Sequence, residues 1–390
     1  MKILFVAAQY NPFAPNKGGS GQRSHLILEA LAKKSEVDVA ICIEDVVSDI
    51  PNCNVVYSRN IDTWYHGFGN RKNKFKRLLK PWDPYAFFPV IPQFASEMSK
   101  IIEEGNYDWI CTRYIETAIQ GGLLRYADRL IVDVDDYPVD DMLKLSRMAS
   151  SYRSRIYYYL LGMSMKYAID KAIKLCKFIF SPNKHICKSE NSAWLPNIPF
   201  YSITKRPKLI VHEHPTLLFV GGLSYEPNLH GIQHFITHVF PMVRTRIPDV
   251  ILNIIGRFPN ERVKTDLEQQ EGVHVKGFVE DIQAEYAFCD VCVAAIYSGA
   301  GTNIKVAEAL QMQRPCVITQ TAYRGYDMLE NGKDIIVVEN DKQYAEEILK
   351  LLENSEIGES LSRNGYAKYK KYFSKIYFED IVKEALNKLS

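Results

Sequence analysis

The chain alternates short apolar runs with helical patterns, and this alternation starts twice. The first series opens near Met1 and the second opens at Leu217. Short apolar runs bounded by turn residues are typical of buried strands, and strands separated by helices form parallel sheets with helices on both faces. The sequence therefore predicts an α/β protein with two Rossmann-like domains.

The predicted elements have the following bounds. Strands are predicted over residues 2–8, 37–43, 54–57, 109–112, 130–134 and 178–181, and then over 217–222, 250–255, 273–277, 291–296, 316–319 and 335–338. Helical patterns cover residues 22–34, 141–175, 229–240 and 366–390. We interpret the tyrosines of the 141–175 helical region as packing residues.

The predicted domain boundaries follow from the length of the chain and from a proline-rich stretch within it. A chain of 390 residues exceeds what one core usually supports. A proline-rich polar stretch ends at Pro215. We predict an N-terminal domain over 1–197, a linker over 198–215, a C-terminal domain over 216–365, and a helix over 366–390 that packs back across both domains. Two such domains joined by a hinge are expected to bracket a cleft.

A glycine-rich turn, Gly299 to Asn303, joins a predicted strand to a helix. Glycine lets backbone amides approach a ligand closely, and the N-terminus of a helix favours anions. Lys305 adds a positive charge, and Glu308 lies on the same helical face, where a carboxylate suits ribose hydroxyls. The alternative is a flexible turn with an ion pair on a surface helix.

A second glycine-rich loop precedes the first predicted helix. It ends in Gly18, Gly19, Ser20 and Gly21, and Arg23 follows. The glycines lie too far beyond the strand for a dinucleotide fingerprint, which disfavours a nicotinamide cofactor. We expect the Gly18–Gly19 pair, with Arg23 beside it, to face a phosphate held from the other side of the cleft.

Acidic residues follow the strand predicted at 130–134. Asp133, Asp135 and Asp136 lie at the edge of the sheet where ligands bind in open α/β folds. Asp133 and Asp135 could form a metal-binding Asp-x-Asp motif, but they point the same way only if the strand continues through them, which argues against a metal site.

Residues 71–80 are rich in lysine and arginine and contain no acid, and aromatic residues follow them. This composition suits an anionic membrane surface. The alternative is a solvated loop whose aromatic side chains turn inward.

Composition excludes several classes. A formal net charge of +2 with no arginine-rich arm gives no indication of nucleic-acid binding. The N-terminus is read as a strand rather than a signal peptide, so we expect a cytoplasmic protein, peripheral on the inner face of the membrane. Cys289 and Cys292 lack a second pair for zinc, and the helically spaced His230, His234 and His238 have no carboxylate cluster nearby. We therefore expect no metal and no cofactor.

Together these motifs resemble the retaining glycosyltransferases of family 4, which have the GT-B fold. The resemblance covers nearly the whole chain. It rests on segments 15–19, 195–197, 219–228, 255–257, 275–281 and 299–310. It implies a nucleotide sugar as co-substrate and a glycan or lipid-linked oligosaccharide as acceptor, in bacterial surface-polysaccharide synthesis.

The resemblance also implies roles for individual residues. It places Glu308 on the ribose and Gly301, Thr302, Asn303, Ile304 and Lys305 on the pyrophosphate. Further donor contacts are expected from Gly222, Arg257, Gly277 and Phe278, and catalytic roles from Lys305, Arg257, Asp135 and Asp136. Of these, Asp135 or Asp136 is expected to orient the acceptor. No metal is required if these groups stabilise the leaving diphosphate.

Three positions depart from the family pattern. Ala300 stands where a first glutamate is usual, and Asn228 and His230 stand where arginine and lysine are common. Because of Ala300, a non-catalytic partner that binds nucleotide sugar or glycan is the alternative function. A sugar-nucleotide epimerase is disfavoured by the linker and the motif pattern.

Overall fold

The structure is a computed structural model that describes residues 1–389, apart from residues 9, 14–18, 44, 45, 47, 62–76, 78, 79, 136, 202, 204–212 and 300. The chain forms two compact units, residues 1–195 with 379–390 (unit 1) and residues 196–378 (unit 2). Each unit is built on one sheet whose strands pair in parallel, so the predicted α/β class with two Rossmann-like domains is confirmed.

Unit 1 is organised around a central strand, β1. Among the described residues the strand order is β3-β2-β1-β4-β5-β6-β7. The strands are β1 Lys2–Ala7, β2 Glu36–Ile41, β3 Cys53–Ser58, β4 Trp109–Arg113, β5 Leu130–Asp133, β6 Phe178–Ser181 and β7 Ser192–Trp194. All but β7 match predicted strands. β7 has three partly buried residues at the sheet edge, too few to give an apolar pattern.

Helices cover the sheet of unit 1. They are α1 Gly19–Ala32, α2 Pro84–Phe87, α3 Pro92–Gly105, α4 Ile115–Gln120, α5 Val139–Met148 and α6 Tyr152–Leu175, with a 3-10 helix at Leu123–Arg129. The helical region predicted over 141–175 is therefore a hairpin of two helices. The Ser151 side chain accepts a hydrogen bond from the Ser154 amide and caps α6.

Unit 2 repeats the same design. The strand order in its described residues is β10-β9-β8-β11-β12-β13. The strands are β8 Thr216–Val220, β9 Ile251–Ile255, β10 Val273–Gly277, β11 Val291–Ala294, β12 Cys316–Thr319 and β13 Ile336–Val338. The register pairs Phe219 with Ile254 and Val293 with Val317. All of these strands except β10 are mostly apolar because both of their faces are buried, whereas the edge strand β10 alternates, with His274 and Lys276 exposed.

The helices of unit 2 include one irregular turn. They are α7 Glu226–His234, α8 Phe240–Arg246, α9 Glu261–Glu268, α10 Ile282–Ala287, α11 Ile304–Gln311, α12 Asp341–Glu353 and α13 Ser355–Tyr372. A π-helical segment, Phe235–Val239, connects α7 to α8. It buries Phe235, Ile236 and Val239 while Thr237 and His238 stay exposed.

The end of the chain differs from the single helix predicted over 366–390. α13 ends at Tyr372, and α14 runs from Lys375 to Leu389. Residues 379–390 belong to unit 1, where Glu379 pairs with Lys33 of α1 at 2.6 Å. Most of the linker predicted at 198–215 lies outside the described residues.

Candidate functional site

The predicted glycine-rich turn joins β11 to α11. Gly299 and Gly301 have φ angles of 112° and 81°, in the left-handed region that favours glycine. A Cβ on Gly301 would meet no atom within 4 Å, so open space lies beside this backbone. The Tyr326 hydroxyl donates to the Asn303 carbonyl at 2.7 Å and holds the start of α11. Ala300 lies outside the described residues.

Lys305 is in the first turn of α11 and contacts the end of β8. Its ammonium donates to the Asn228 side-chain oxygen at 2.6 Å and lies 4.6 Å from the centre of the Phe219 ring. Burial lowers the pKa of Lys305 to about 7, although the nearby Glu308 carboxylate raises it. A partly buried ammonium whose hydrogen-bond acceptor is a neutral amide gains from an added anion.

Asn228 is itself held in place. Its amide nitrogen donates to the Gly222 carbonyl at 2.9 Å. A Cβ on Gly221 would come within 2.9 Å of the Asn228 amide nitrogen and 3.1 Å of the Lys305 ammonium. Glycine after β8 therefore leaves the space in which Asn228 and Lys305 meet.

Glu308 lies one turn beyond Lys305 and is partly buried. Burial raises the pKa of Glu308, while Lys305 and a hydrogen bond from Tyr286 lower it. The alternative of an ion pair on a surface helix is wrong in its main point, because both side chains are partly buried and the Lys305 ammonium binds Asn228. The Tyr286 contact is one that the sequence pattern did not indicate.

Arg257 follows β9 and stacks on an exposed aromatic ring. Its guanidinium carbon lies 5.4 Å from the centre of the Phe278 ring, and Phe278 is 65% exposed. Two glycines shape the backbone here. Gly277 has a φ of 74°, and a Cβ on Gly256 would lie 2.2 Å from the Gly221 carbonyl oxygen.

Strand order brings these positions to one edge of the sheet. β10, β9, β8 and β11 are neighbours, and their carboxyl ends lead to Phe278, Arg257, Gly222 and the glycine-rich turn respectively. In open α/β sheets this edge is where ligands bind. The donor-binding residues of unit 2, which were predicted from separate motifs, therefore lie along one edge of its sheet.

In unit 1, the acidic residues predicted after β5 lie in a network of buried charges. Asp133 accepts hydrogen bonds from Arg23 at 2.6 Å and from Arg113 at 3.1 Å. Arg113 also pairs with Asp135. Burial raises the pKa of Asp133, but the two guanidinium groups outweigh it and hold the pKa below its ordinary value.

This network contradicts the prediction made for Arg23. Arg23 is buried against Asp133 and the Leu195 carbonyl, so the prediction that it faces a phosphate is wrong. Gly19 is the first residue of α1. Gly18 and Asp136 lie outside the described residues.

The histidines at helical spacing bind groups of the protein. The His234 Nε2–H donates to an Asp341 carboxylate oxygen at 2.9 Å, and the His234 ring stacks on His238 with ring centres 4.3 Å apart. The Cys289 and Cys292 sulfur atoms are buried and 3.6 Å apart. In the part of the chain that the structure describes, no group of three or more His, Cys, Asp or Glu side chains is arranged to hold a metal.

Residues 214–354, which span β8 to α12 and contain the edge described above, match the family profile described as "Glycosyl transferases group 1". The chain carries a group 1 glycosyltransferase domain. The predicted identity of the protein as a glycosyltransferase is thereby confirmed.

Solved structures show that the whole glycosyltransferase chain has the GT-B fold. Sucrose-phosphate synthase from Thermosynechococcus elongatus is 15% identical with a TM-score of 0.69, and the alignment covers 100% of this chain and 99% of that one. Anabaena Alr3699/HepE in complex with UDP-glucose is 15% identical with a TM-score of 0.62 and full coverage of both chains. WaaG, a glycosyltransferase involved in lipopolysaccharide biosynthesis, is 13% identical with a TM-score of 0.60 over 100% and 99%.

A curated relative extends over the same length. It is an uncharacterized 44.6 kDa protein in the cps region of Klebsiella pneumoniae, 24% identical over 405 aligned positions that cover 98% of this chain and 99% of the relative. Within the described residues, no helix has the length and apolar character needed to cross a membrane.

Proposed function

We propose that this glycosyltransferase moves a sugar from a nucleoside-diphosphate sugar to a glycan or a lipid-linked glycan, with retention of anomeric configuration, in the synthesis of a bacterial surface polysaccharide. The observation that carries the proposal is the position of Lys305. Its partly buried ammonium lies in the first turn of α11, directly after a glycine-rich turn with open space beside Gly301.

The donor diphosphate would bind at this turn. Backbone amides from Gly301 to Ile304 open the helix and supply hydrogen-bond donors for an anion. Lys305 adds a full charge, and Arg257 supplies a second cation from the neighbouring strand end. Glu308 would accept hydrogen bonds from the ribose hydroxyls, which a partly buried carboxylate does well.

The chemistry needs stabilisation of the leaving diphosphate while the sugar gains positive charge. Donors fixed in a dry site before reaction are worth more than the same donors in water. Lys305 is suited to this role because its ammonium is held by one short hydrogen bond to Asn228. As negative charge builds on the leaving oxygen, the ammonium gains a stronger partner than the neutral amide.

We also propose that the reaction needs no metal. Lys305, Arg257 and the α11 N-terminus together offer the positive charge that a divalent cation would otherwise supply. Turnover in the presence of a chelator should equal turnover in its absence. Loss of activity in chelator that manganese restores would contradict this part of the proposal.

The relatives support the proposed acceptor and the proposed cellular role. One lies in a cps region, and WaaG is involved in lipopolysaccharide biosynthesis. These support a cytoplasmic enzyme that meets a lipid-linked acceptor at the inner face of a membrane. Asp135 stays the predicted acceptor-orienting residue. It is ion-paired with Arg113, which would hold its carboxylate in one position.

The deciding experiment measures release of nucleoside diphosphate from a panel of nucleotide sugars, with and without candidate glycan acceptors. UDP-sugars come first because the HepE structures contain UDP and UDP-glucose. Release that depends on both substrates, with an unchanged anomeric configuration in the product by NMR, supports the proposal. Donor binding without release under every acceptor supports the non-catalytic alternative.

A further inference from the structure

The hairpin of α5 and α6 in unit 1 exposes a large group of apolar and aromatic side chains. On α6, six of these side chains are between 42% and 77% exposed: Tyr152, Ile156, Tyr159, Leu160, Met163 and Tyr167. Leu145 and Met148 on α5 are also exposed. The interpretation of the tyrosines in this region as packing residues is therefore wrong for Tyr152, Tyr159 and Tyr167. A contiguous apolar patch of this kind marks an interaction surface.

The six α6 side chains form one stripe along the helix. They lie 4, 7, 8, 11 and 15 positions after Tyr152. At about 100° per residue, this spacing places all six within an arc of about 100°. The opposite face of α6 is buried in unit 1 through Gly162, Met165, Ala168, Ile169 and Ala172. α6 therefore has two apolar faces, and the fold uses one of them.

Basic residues border the stripe. Arg153 and Lys171 fall on one side of it and Arg155 and Lys166 on the other, by the same helical spacing. The sequence from 142 to 169 contains no aspartate or glutamate. An apolar stripe with tyrosines and basic borders fits the boundary between headgroups and acyl chains of an anionic bilayer.

A second copy of the chain fits this surface less well. A symmetric dimer brings the same patch of two chains together. Helix α6 carries five basic residues and one acidic residue, Asp170, which pairs with Lys166 at 2.7 Å, so such a dimer would bring two helices of net positive charge together. Like charges brought together cost free energy, whereas anionic headgroups offset them.

We propose that the stripe from Tyr152 to Tyr167 is a membrane-docking surface, with α6 lying in the plane of an anionic bilayer. The surface shares no residue with the proposed donor site, so a failure of membrane docking would not contradict the proposed reaction, and a failure of the reaction would not contradict docking. It also differs from the basic segment predicted at 71–80. Most of that segment lies outside the described residues, and its Arg77 is buried and donates to the Ala86 carbonyl at 3.2 Å.

The test is flotation of the full chain with vesicles of phosphatidylglycerol and phosphatidylcholine, compared with pure phosphatidylcholine, at low salt. The double variant Tyr159→Ser/Tyr167→Ser should bind at least about tenfold more weakly, because it removes two interfacial rings from the stripe. Ile376→Ser is the matched control, since Ile376 is 73% exposed but lies on α14. It should float like the wild type.

A charge variant tests the same surface without touching its apolar residues. Arg153→Gln/Arg155→Gln should lose on the order of 30-fold in binding to anionic vesicles, at about fivefold or more per charge. Arg262→Gln/Lys342→Gln removes two exposed charges in unit 2 and should bind normally. Melting temperatures and release of nucleoside diphosphate with a water-soluble acceptor should stay unchanged in all variants.

Three results would overturn the proposal. The first is unchanged flotation of both α6 variants. The second is loss of flotation in Trp82→Ser, whose exposed ring adjoins the 71–80 segment, while the α6 variants still bind. The third is a dimer, seen by light scattering, that the α6 variants dissociate without any change in flotation.

Discussion

The ammonium of Lys305 donates to the side-chain oxygen of Asn228, 77 positions earlier in the chain. Asn228 lies in the first turn of α7, at a position where the family pattern commonly has a cation. The neutral amide fixes Lys305 without competing with it for the anion. The departure from the family pattern thus changes how positive charge is positioned at this edge, and Lys305 is the cation that remains beside β8.

Lys305→Ala should lower kcat by about 10²–10³-fold, because one preorganised donor to the leaving diphosphate is lost. Steady-state kinetics over a range of donor concentrations checks this, with Lys342→Ala as the exposed-lysine control. A wild-type kcat in Lys305→Ala would remove Lys305 from the catalytic site.

The depressed pKa of Lys305 predicts a specific pH dependence. Since the free enzyme needs the ammonium to bind the donor, kcat/KM should fall as pH rises through about 7. Stability should change in the opposite direction, because between about 7 and the ordinary value of 10.5 the unfolded chain binds the proton more tightly. The wild type should therefore gain stability over this pH range relative to Lys305→Met. Equal pH profiles of the two proteins in thermal denaturation would contradict the pKa shift.

Asn228→Ala should lower kcat by about tenfold and move the fall in kcat/KM to lower pH. The lysine then loses its acceptor, and a buried ammonium without a partner deprotonates more readily. The control is His230→Ala on the same helix, whose side chain is largely exposed. If both variants behave alike, the hydrogen bond to Lys305 has no role in the reaction.

Gly301→Ala should weaken binding of nucleoside diphosphate, since alanine resists the φ of 81° and displaces the amides of the turn. Gly332 provides a matched control, because it has the same φ of 81° and equally open surroundings away from the turn. Both variants should lose about 1–2 kcal/mol of stability, and calorimetry should show weaker binding only in Gly301→Ala.

Glu308→Ala should raise KM for the donor and leave kcat nearly unchanged, because contacts to the ribose differ little between ground and transition states. A 2′-deoxyribose donor gives a sharper comparison. It should bind the wild type more weakly than the natural donor, and Glu308→Ala should bind both donors alike. A persistent preference in the variant would assign the ribose contact to another residue.

Asp133→Asn and Asp135→Asn should separate structure from acceptor binding. Asp133→Asn removes the buried carboxylate that Arg23 and Arg113 share and should cost about 3–5 kcal/mol of unfolding free energy. Because the pKa of Asp133 is lowered, its contribution is present above about pH 4 and is lost as pH falls further. Asp135→Asn should cost less stability and should raise KM for the acceptor. Unchanged acceptor kinetics would exclude Asp135 from that role.

The sequence predicted the elements whose pattern is local. Most strands were found because both of their faces are buried, which makes the apolar run continuous. The edge strands β3 and β10 have exposed residues, but apolar residues recur at alternate positions in both. β7 was missed because Ser192–Trp194 is short and lies at an edge. The region predicted as one helix over 366–390 contains a break between Tyr372 and Lys375. The break was missed because the apolar periodicity continues across this short irregular connection.

The site was predicted in part. Lys305, Glu308 and the glycine turn are adjacent in sequence, so the strand-turn-helix pattern indicates them together. The partners Asn228, Tyr286 and Tyr326 come from other elements, and no local pattern encodes those contacts. The stripe on α6 was misread for a related reason: periodicity identifies an apolar face but does not show whether protein covers it.

The π-helical segment Phe235–Val239 bears on how the chain length of this region can vary in evolution. A π turn accommodates one extra residue within a helix while the α-helical parts on either side keep their orientation. Deletion of Thr237, which is exposed, should therefore close the turn to regular α winding and leave Asn228 beside Lys305. A deletion elsewhere in residues 226–246 would rotate one part of the helix by about 100° against the other. We expect natural variants of this protein to gain or lose a residue here only within the π turn.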